Sequence, residues 1–174
     1  PDLKYWVGFS KIPSIGPKRF HALLEHFPNL ETAWNAPLLE LSKAGLDEGT
    51  VAEIVRHRQT IDLDGEMARL DKEAVKIVTV QDENYPALLK EIYGPPPLLY
   101  YRGELPKAEE FLLAIVGTRK PTAYGQQITQ TLAAELAQSG LTIVSGLAFG
   151  IDSLAHTATL TASGRTVAVL GCGI

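Results

Sequence analysis

One segment in the last third of the chain, GTRKPTAYG at residues 117–125, holds the residues best suited to bind an anion. It offers the hydroxyl of Thr118 and the cations Arg119 and Lys120, together with the backbone N–H groups of a loop. A helix predicted to begin near Tyr124 adds its unpaired N–H groups and the positive end of its dipole. Donors of this kind bind phosphate groups. The segment therefore predicts a phosphate-binding loop.

A second segment, SGLAFGID at residues 145–152, carries a different set of ligand-compatible residues. Gly146 and Gly150 let a ligand approach the backbone without a Cβ clash, although they suit an ordinary tight turn equally well. Ser145 can donate a hydrogen bond. Phe149 either packs in the interior, which we slightly favour, or stacks on a nucleobase.

The titratable residues next to this segment are better explained by structure than by catalysis. Asp152 is predicted to cap the following helix, and His156 is expected to pack or to hydrogen-bond within the fold. Neither segment has the glycine pattern of a dinucleotide or triphosphate site, and no G-x-S-x-G elbow occurs. We therefore expect no catalytic residue, no metal and no cofactor.

The elements that must position both segments are three short apolar runs separated by helical patterns. The runs are Leu112–Gly117, Leu141–Gly146 and Thr166–Gly171. This alternation predicts a βαβαβ unit with a parallel sheet, and such sheets bind ligands at the carboxyl ends of their strands. In the strand order usual for such sheets, the first strand is central and has a neighbour on each side. With three strands in this unit, we expect one side of the first strand to be unpaired.

The two helices of this unit are predicted over residues 124–139 and 152–163. Ile128, Leu132 and Leu136 recur every four residues in the first helix, so we expect them to face the core.

The rest of the chain predicts a small helical domain. Residues 1–65 contain short helical patterns, with an apolar face over residues 20–27 and Asp47 as a helix cap. We assign residues 1–65 to this all-helical domain and residues 66–174 to a Rossmann-like parallel-sheet domain, with prolines 95–97 as an extended connector. The predicted fold class is therefore α/β, with a helical domain at the N-terminus.

The segment IPSIGPKRF at residues 12–20 is a second candidate for anion binding. Gly16 is predicted to form a tight turn, and Lys18 and Arg19 follow it at the start of a helix. Such a hairpin can hold one DNA phosphate, but an ordinary turn with solvated charges explains the residues equally well.

Composition limits the classes of protein to consider. The 174 residues are 45% hydrophobic and 21% charged, which is typical of a globular protein. The net charge of −4 argues against indiscriminate nucleic-acid binding, although a pair such as Arg119–Lys120 can dominate the field locally. The single Cys172 excludes an internal disulfide and fits a reducing cytoplasm. No membrane span or leader pattern is apparent.

The motifs closely resemble those of the DNA-processing protein A family (DprA, or Smf). The match runs through AIVGTRKPTAYG and LTIVSGLAFGIDSLAH. Two further segments are similar to the family's pattern: DENYPALLKEIYGPPPLLYYRG, and IPSIGPKRFHALLEHF in a domain like sterile-alpha-motif or helix-hairpin-helix modules. The resemblance covers essentially the whole chain.

This resemblance implies a cytoplasmic bacterial protein, not an enzyme, that binds and protects single-stranded DNA in natural transformation and recombination. It also implies loading of the RecA recombinase and a homodimer of the complete protein. The DNA pocket would combine residues from both strand-end segments: Gly117, Thr118, Arg119, Lys120, Ser145, Gly146, Phe149 and Gly150. Since the family continues with further strands, we expect this chain to be a fragment that binds DNA more weakly than the complete protein.

Two other functions remain open from the sequence. One is a nucleotide-processing Rossmann enzyme, such as a nucleoside-monophosphate phosphoribohydrolase, which release of free base from AMP would reveal. The other is a protein–protein scaffold in which the N-terminal helices bind the partner.

Overall fold

The computed structural model describes residues 3–172, and the chain divides into two compact units between Leu105 and Pro106. The first unit contains helices α1 to α7 and strands β1 and β2. In chain order these are α1 Leu3–Ser10, α2 Pro17–His26, α3 Leu30–Asn35, α4 Leu38–Lys43, α5 Glu48–Arg58, α6 Leu63–Lys72, β1 Lys76–Thr79, α7 Ala87–Lys90 and β2 Leu98–Tyr101. None of the helices described is long and apolar enough to cross a membrane.

An aromatic cluster forms the core of the first unit. Phe9 of α1 packs edge-on against Trp34 of α3, with ring centroids 5.0 Å apart, and its other neighbour Phe20 belongs to α2. Edge-to-face pairs of this kind stabilise a core beyond the area that they bury. The predicted helix cap is also confirmed, because the Asp47 carboxylate accepts the N–H of Thr50.

The first unit extends beyond the boundary predicted at residues 65/66. Strands β1 and β2 pair antiparallel, and Leu98 of β2 lies in the same buried cluster as the helical aromatics. Ile77 and Val80 also pack against that cluster. The hairpin therefore completes the helical core, which explains why the compact unit reaches Leu105.

The second unit is the predicted βαβαβ arrangement. Its elements are β3 Leu112–Ala114, α8 Ala123–Gln138, β4 Thr142–Ser145, α9 Ile151–Thr161 and β5 Thr166–Ala168. The strands are parallel in the order β3-β4-β5, with Leu113 beside Ile143 and Ile143 beside Thr166. Both helices cover one face, because the buried side chain of Ile143 packs with residues from α8 and α9. The predicted fold class is thus confirmed.

The predicted inward face of α8, formed by Ile128, Leu132 and Leu136, is only partly correct. Leu136 packs against the buried cluster, whereas Ile128 and Leu132 are exposed, Leu132 by 48%. Thr129, Ala133 and Ala137 are buried. The reason is that the chain just after α9 approaches α8 closely. A Cβ on Gly164 would lie only 2.5 Å from Cβ of Ala137 in α8. Large side chains cannot enter such a contact, so they occupy its flank.

Within residues 3–172, strand β3 pairs with β4 alone. Its residues Leu112 and Leu113 are both partly exposed.

A half-buried guanidinium is expected to stabilise the first unit. Arg58 of α5 donates to the carbonyl oxygens of Ala33 and Ala36 at 2.6 and 2.8 Å, and burial lowers its pKa to about 10. Replacing Arg58 with Ala leaves both carbonyls without this donor, so we expect a loss of about 2 kcal/mol in unfolding free energy. Urea unfolding followed by the fluorescence of the buried Trp6 and Trp34 measures it.

Arg56→Ala is the matched control, because Arg56 lies in the same helix with an exposed side chain. Its expected effect is under about 0.5 kcal/mol. Equal losses in the two variants would contradict the assigned role of Arg58.

Candidate functional site

The loops that follow β3 and β4 contact each other through their backbones. The N–H of Ile151 donates to the carbonyl oxygen of Thr118 at 3.1 Å. Gly150 has a φ of +89°, and a Cβ there would overlap the Thr118 oxygen and lie 2.7 Å from Cα of Arg119. Only glycine fits this position, for both conformational and steric reasons. The first loop therefore rests directly on the second.

The carboxylate of Asp152 holds the same two loops from within. Its Oδ1 accepts the N–H of Gly117 at 3.2 Å, and its Oδ2 accepts the N–H of Gly146 at 3.1 Å. The side chain is 7% exposed. Asp152 was predicted to cap α9, but Gly150 occupies the N-cap position and Asp152 lies in the first turn. The carboxylate joins the ends of two strands instead.

The first loop presents two cations to solvent. Arg119 and Lys120 are exposed, and neither forms an ion pair with any residue in the range 3–172. The loop is held by a short turn in which the N–H of Lys120 donates to Oγ1 of Thr118 at 3.2 Å. That bond leaves the Thr118 hydroxyl proton free to donate to a ligand. An anion would meet donors already in place.

The nearby start of α8 is less open to an anion than the sequence indicates. The side chain of Thr122 caps the helix by accepting the N–H of Gly125 at 3.2 Å. At least one N-terminal donor is therefore used internally.

The second loop exposes apolar side chains. Phe149 is 85% exposed, which contradicts the slight expectation of burial. Leu147 is also exposed and has a φ of +55°, a conformation that is uncommon for a bulky residue. An exposed ring beside a cationic loop is suited to stacking on a base.

Ser145 does not face a ligand. It is 3% exposed, and its hydroxyl donates to the carbonyl oxygen of Ile115 at 2.6 Å. The bond joins the ends of β3 and β4, so the predicted donor is a structural one. Gly117 and Gly146 are close-approach positions: a Cβ on Gly117 would lie 2.7 Å from Ile151, and one on Gly146 would lie 2.9 Å from Asp152.

The predicted pocket residues thus divide into two groups. Thr118, Arg119, Lys120 and Phe149 are exposed at the carboxyl edge of the sheet. The other four shape the loop backbone: Ser145 is buried, and Gly117, Gly146 and Gly150 are close-approach positions, of which Gly117 and Gly146 are also exposed. Sequence reasoning missed the Asp152 bonds, since an acidic residue at a helix start is read first as a cap.

His156 is buried and its bonds are structural. Its Nδ1 lies 2.7 Å from Oγ1 of Thr166, whose hydroxyl donates to the Ile143 carbonyl, so Nδ1 carries the proton. Burial lowers the pKa of His156, which favours the neutral ring. Among the residues described, no cluster of His, Cys, Asp or Glu could hold a metal ion.

The second anion site predicted in the N-terminal part is only partly available. Gly16 is the N-cap of α2 and Lys18 is exposed. Arg19, however, donates to the Ser14 carbonyl and pairs with Asp47, both at 2.8 Å. Its guanidinium fixes the turn, which leaves Lys18 as the available cation.

Replacing Asp152 with Asn is expected to loosen the strand ends. An amide has one acceptor oxygen, so one of the two loop N–H groups loses its partner, at a cost of about 1–3 kcal/mol. Hydrogen exchange at the amides of Gly117 and Gly146 measures the loss of protection. Glu135→Gln, an isosteric change on the exposed surface of α8, is the control. Unchanged protection at both amides in Asp152→Asn would contradict the assigned bonds.

Comparisons with known proteins agree on one family. The family described as "DNA recombination-mediator protein A" matches residues 76–174. Protein Smf of Synechocystis is 38% identical over 98% of this chain and 44% of its own length. DNA processing protein DprA of Bacillus subtilis is 40% identical over 62% of this chain and 36% of its own.

A solved structure gives the same result. DNA processing protein A from Streptococcus pneumoniae superposes with a TM-score of 0.75 and 30% identity, covering 98% of this chain and 58% of that one. The chain spans less than half the length of the two curated relatives above. On its sequence, fold and strand-end loops together, this chain belongs to the DNA recombination-mediator protein A family.

Proposed function

We propose that this chain binds single-stranded DNA at the two strand-end loops of its second unit. The observation that carries the proposal is a pair of exposed cations, Arg119 and Lys120, which have no ion pair among the described residues and lie on a loop fixed by backbone contacts. A phosphate is the anion best matched to a guanidinium, an ammonium and a hydroxyl side by side. The name of the Bacillus subtilis relative, DNA processing protein DprA, supports the same ligand class.

Single-stranded nucleic acid fits this surface better than a small anion does. Phe149 offers an exposed ring on the neighbouring loop, and base stacking on such a ring contributes about 1–3 kcal/mol per base. Neither the cations nor the ring reads a base edge, so binding is largely sequence-tolerant. Much of its affinity comes from phosphate contacts and falls as salt rises.

The proposal is one of binding rather than catalysis. The two titratable groups nearest the loops, Asp152 and His156, are both engaged in internal hydrogen bonds. Neither is placed to activate a nucleophile. Protection of DNA in natural transformation, delivery to RecA, homodimerisation and a cytoplasmic location follow from the family resemblance and are part of this proposal.

Replacing Arg119 with Ala tests the proposal. Loss of one charged phosphate contact is expected to weaken binding of a labelled oligo-dT about tenfold, or ~1.4 kcal/mol. The slope of log affinity against log salt should fall by about 0.7, the value for one phosphate contact on a single strand. Fluorescence anisotropy over a salt series measures both quantities.

Arg56→Ala removes the same charge from an exposed position in the first unit and is the control. It should change neither quantity appreciably. Wild-type binding that is insensitive to salt, or an Arg119→Ala variant that binds like wild type, would contradict the assigned site.

A further inference from the structure

A loop in the first unit is held by hydrogen bonds and carries an exposed aromatic ring. Among the described residues, no hydrogen bond or ring contact to that ring is found. The loop lies between α7 and β2 and contains the three consecutive prolines. The buried Tyr85 donates its hydroxyl to the carbonyl oxygen of Pro96 at 2.8 Å, and the N–H of Val80 donates to that of Pro97 at 2.9 Å. Because proline also fixes its own φ, the loop is held in one conformation.

Tyr93 stands on this loop with its side chain fully exposed. No hydrogen bond or ring contact joins it to any residue in the range 3–172. The neighbouring Ile92 is half exposed. Large apolar side chains on an ordered loop normally gain more by packing than by facing water. Their arrangement here presents a ring to an external ligand.

The exposed cation Lys18 lies on the surface next to the Tyr93 loop. A Cβ on Gly94 would lie 3.8 Å from Cβ of Pro17, so the Tyr93 loop meets the turn that precedes Lys18. Lys18 forms no ion pair and no cation–π contact with the residues described. Arg19, by contrast, is bound to Ser14 and Asp47 and keeps this turn rigid.

We infer that Tyr93 and Lys18 form a second contact for single-stranded nucleic acid, on the first unit. A base stacks on the Tyr93 ring and a backbone phosphate meets the Lys18 ammonium. A ligand with both a flat apolar face and a negative charge uses both groups, whereas an acidic peptide would use the cation alone. The ring and the cation are presented by rigid segments, so little ordering entropy is lost on binding. This inference rests on the proposed function and adds a site to it.

Variants of the full chain separate stacking from general effects. Tyr93→Leu removes the ring and should weaken binding of a labelled oligo-dT roughly fivefold or more, whereas Tyr93→Phe keeps the ring and should bind like wild type. Lys18→Ala should lower the salt slope by about 0.7. Lys72→Ala and Leu39→Ala, at other exposed positions of the first unit, are the controls for charge and apolar area.

Photo-crosslinking locates the contact directly. An oligonucleotide carrying 5-iododeoxyuridine reacts with aromatic side chains that stack on the modified base. The expected crosslink is at Tyr93 in tryptic peptide 91–102, where fragment masses distinguish it from Tyr100 and Tyr101. Wild-type binding with normal affinity in Tyr93→Leu and no crosslink in that peptide would overturn this inference while leaving the Arg119 site intact. Equal losses in Tyr93→Leu and Tyr93→Phe would also overturn it. Failure of the wild-type chain to bind would overturn both proposals.

Discussion

The bonds from Asp152 to the ends of β3 and β4 are the interaction on which the candidate site depends. One carboxylate accepts backbone N–H groups from two loops that are far apart in sequence, at Gly117 and Gly146. A buried carboxylate is tolerated only when hydrogen bonds compensate for its lost hydration, and these two N–H groups provide that compensation. The bonds fix where both loops leave the sheet. The exposed cations then project from a loop backbone whose position is determined by these bonds to Asp152.

A division between internal and external polar groups follows from this arrangement. Asp152, Ser145 and His156 each form hydrogen bonds within the fold, at the strand ends or beside them. Arg119 and Lys120 have no such partner in the residues described and remain available to an anion. The loop backbone is already fixed, so binding orders only the side chains of the two cations, and the proposed phosphate contact can form even on a chain with a net charge of −4.

The sequence patterns predicted where the candidate residues lie on the sheet because those signals are local. Cations and glycines that directly follow an apolar strand lie at the carboxyl edge of a parallel sheet, whatever the details of packing. The errors concern side-chain direction and long-range packing. Ser145 points inward because strand parity, rather than its hydroxyl, sets its direction. Leu132 lies outside because the α8–α9 contact is too close for it, and Leu98 joins the helical core through a hairpin partner that periodicity does not identify.

The most direct test compares two glycines that both have a positive φ but lie in different surroundings. Gly150 and Gly140 have φ values of +89° and +86°, but only Gly150 lies against the Thr118–Arg119 backbone, whereas a Cβ on Gly140 would meet no atom within 4 Å. Alanine is strained at both positions, and more so at Gly150, whose ψ is −128°. When both variants are folded, a loss of oligo-dT affinity confined to Gly150→Ala reports the position of the cationic loop. The account predicts a loss of roughly tenfold or more for Gly150→Ala and little change for Gly140→Ala. Equal affinities in two folded variants would contradict the claim that this backbone contact holds the DNA-binding loop in place.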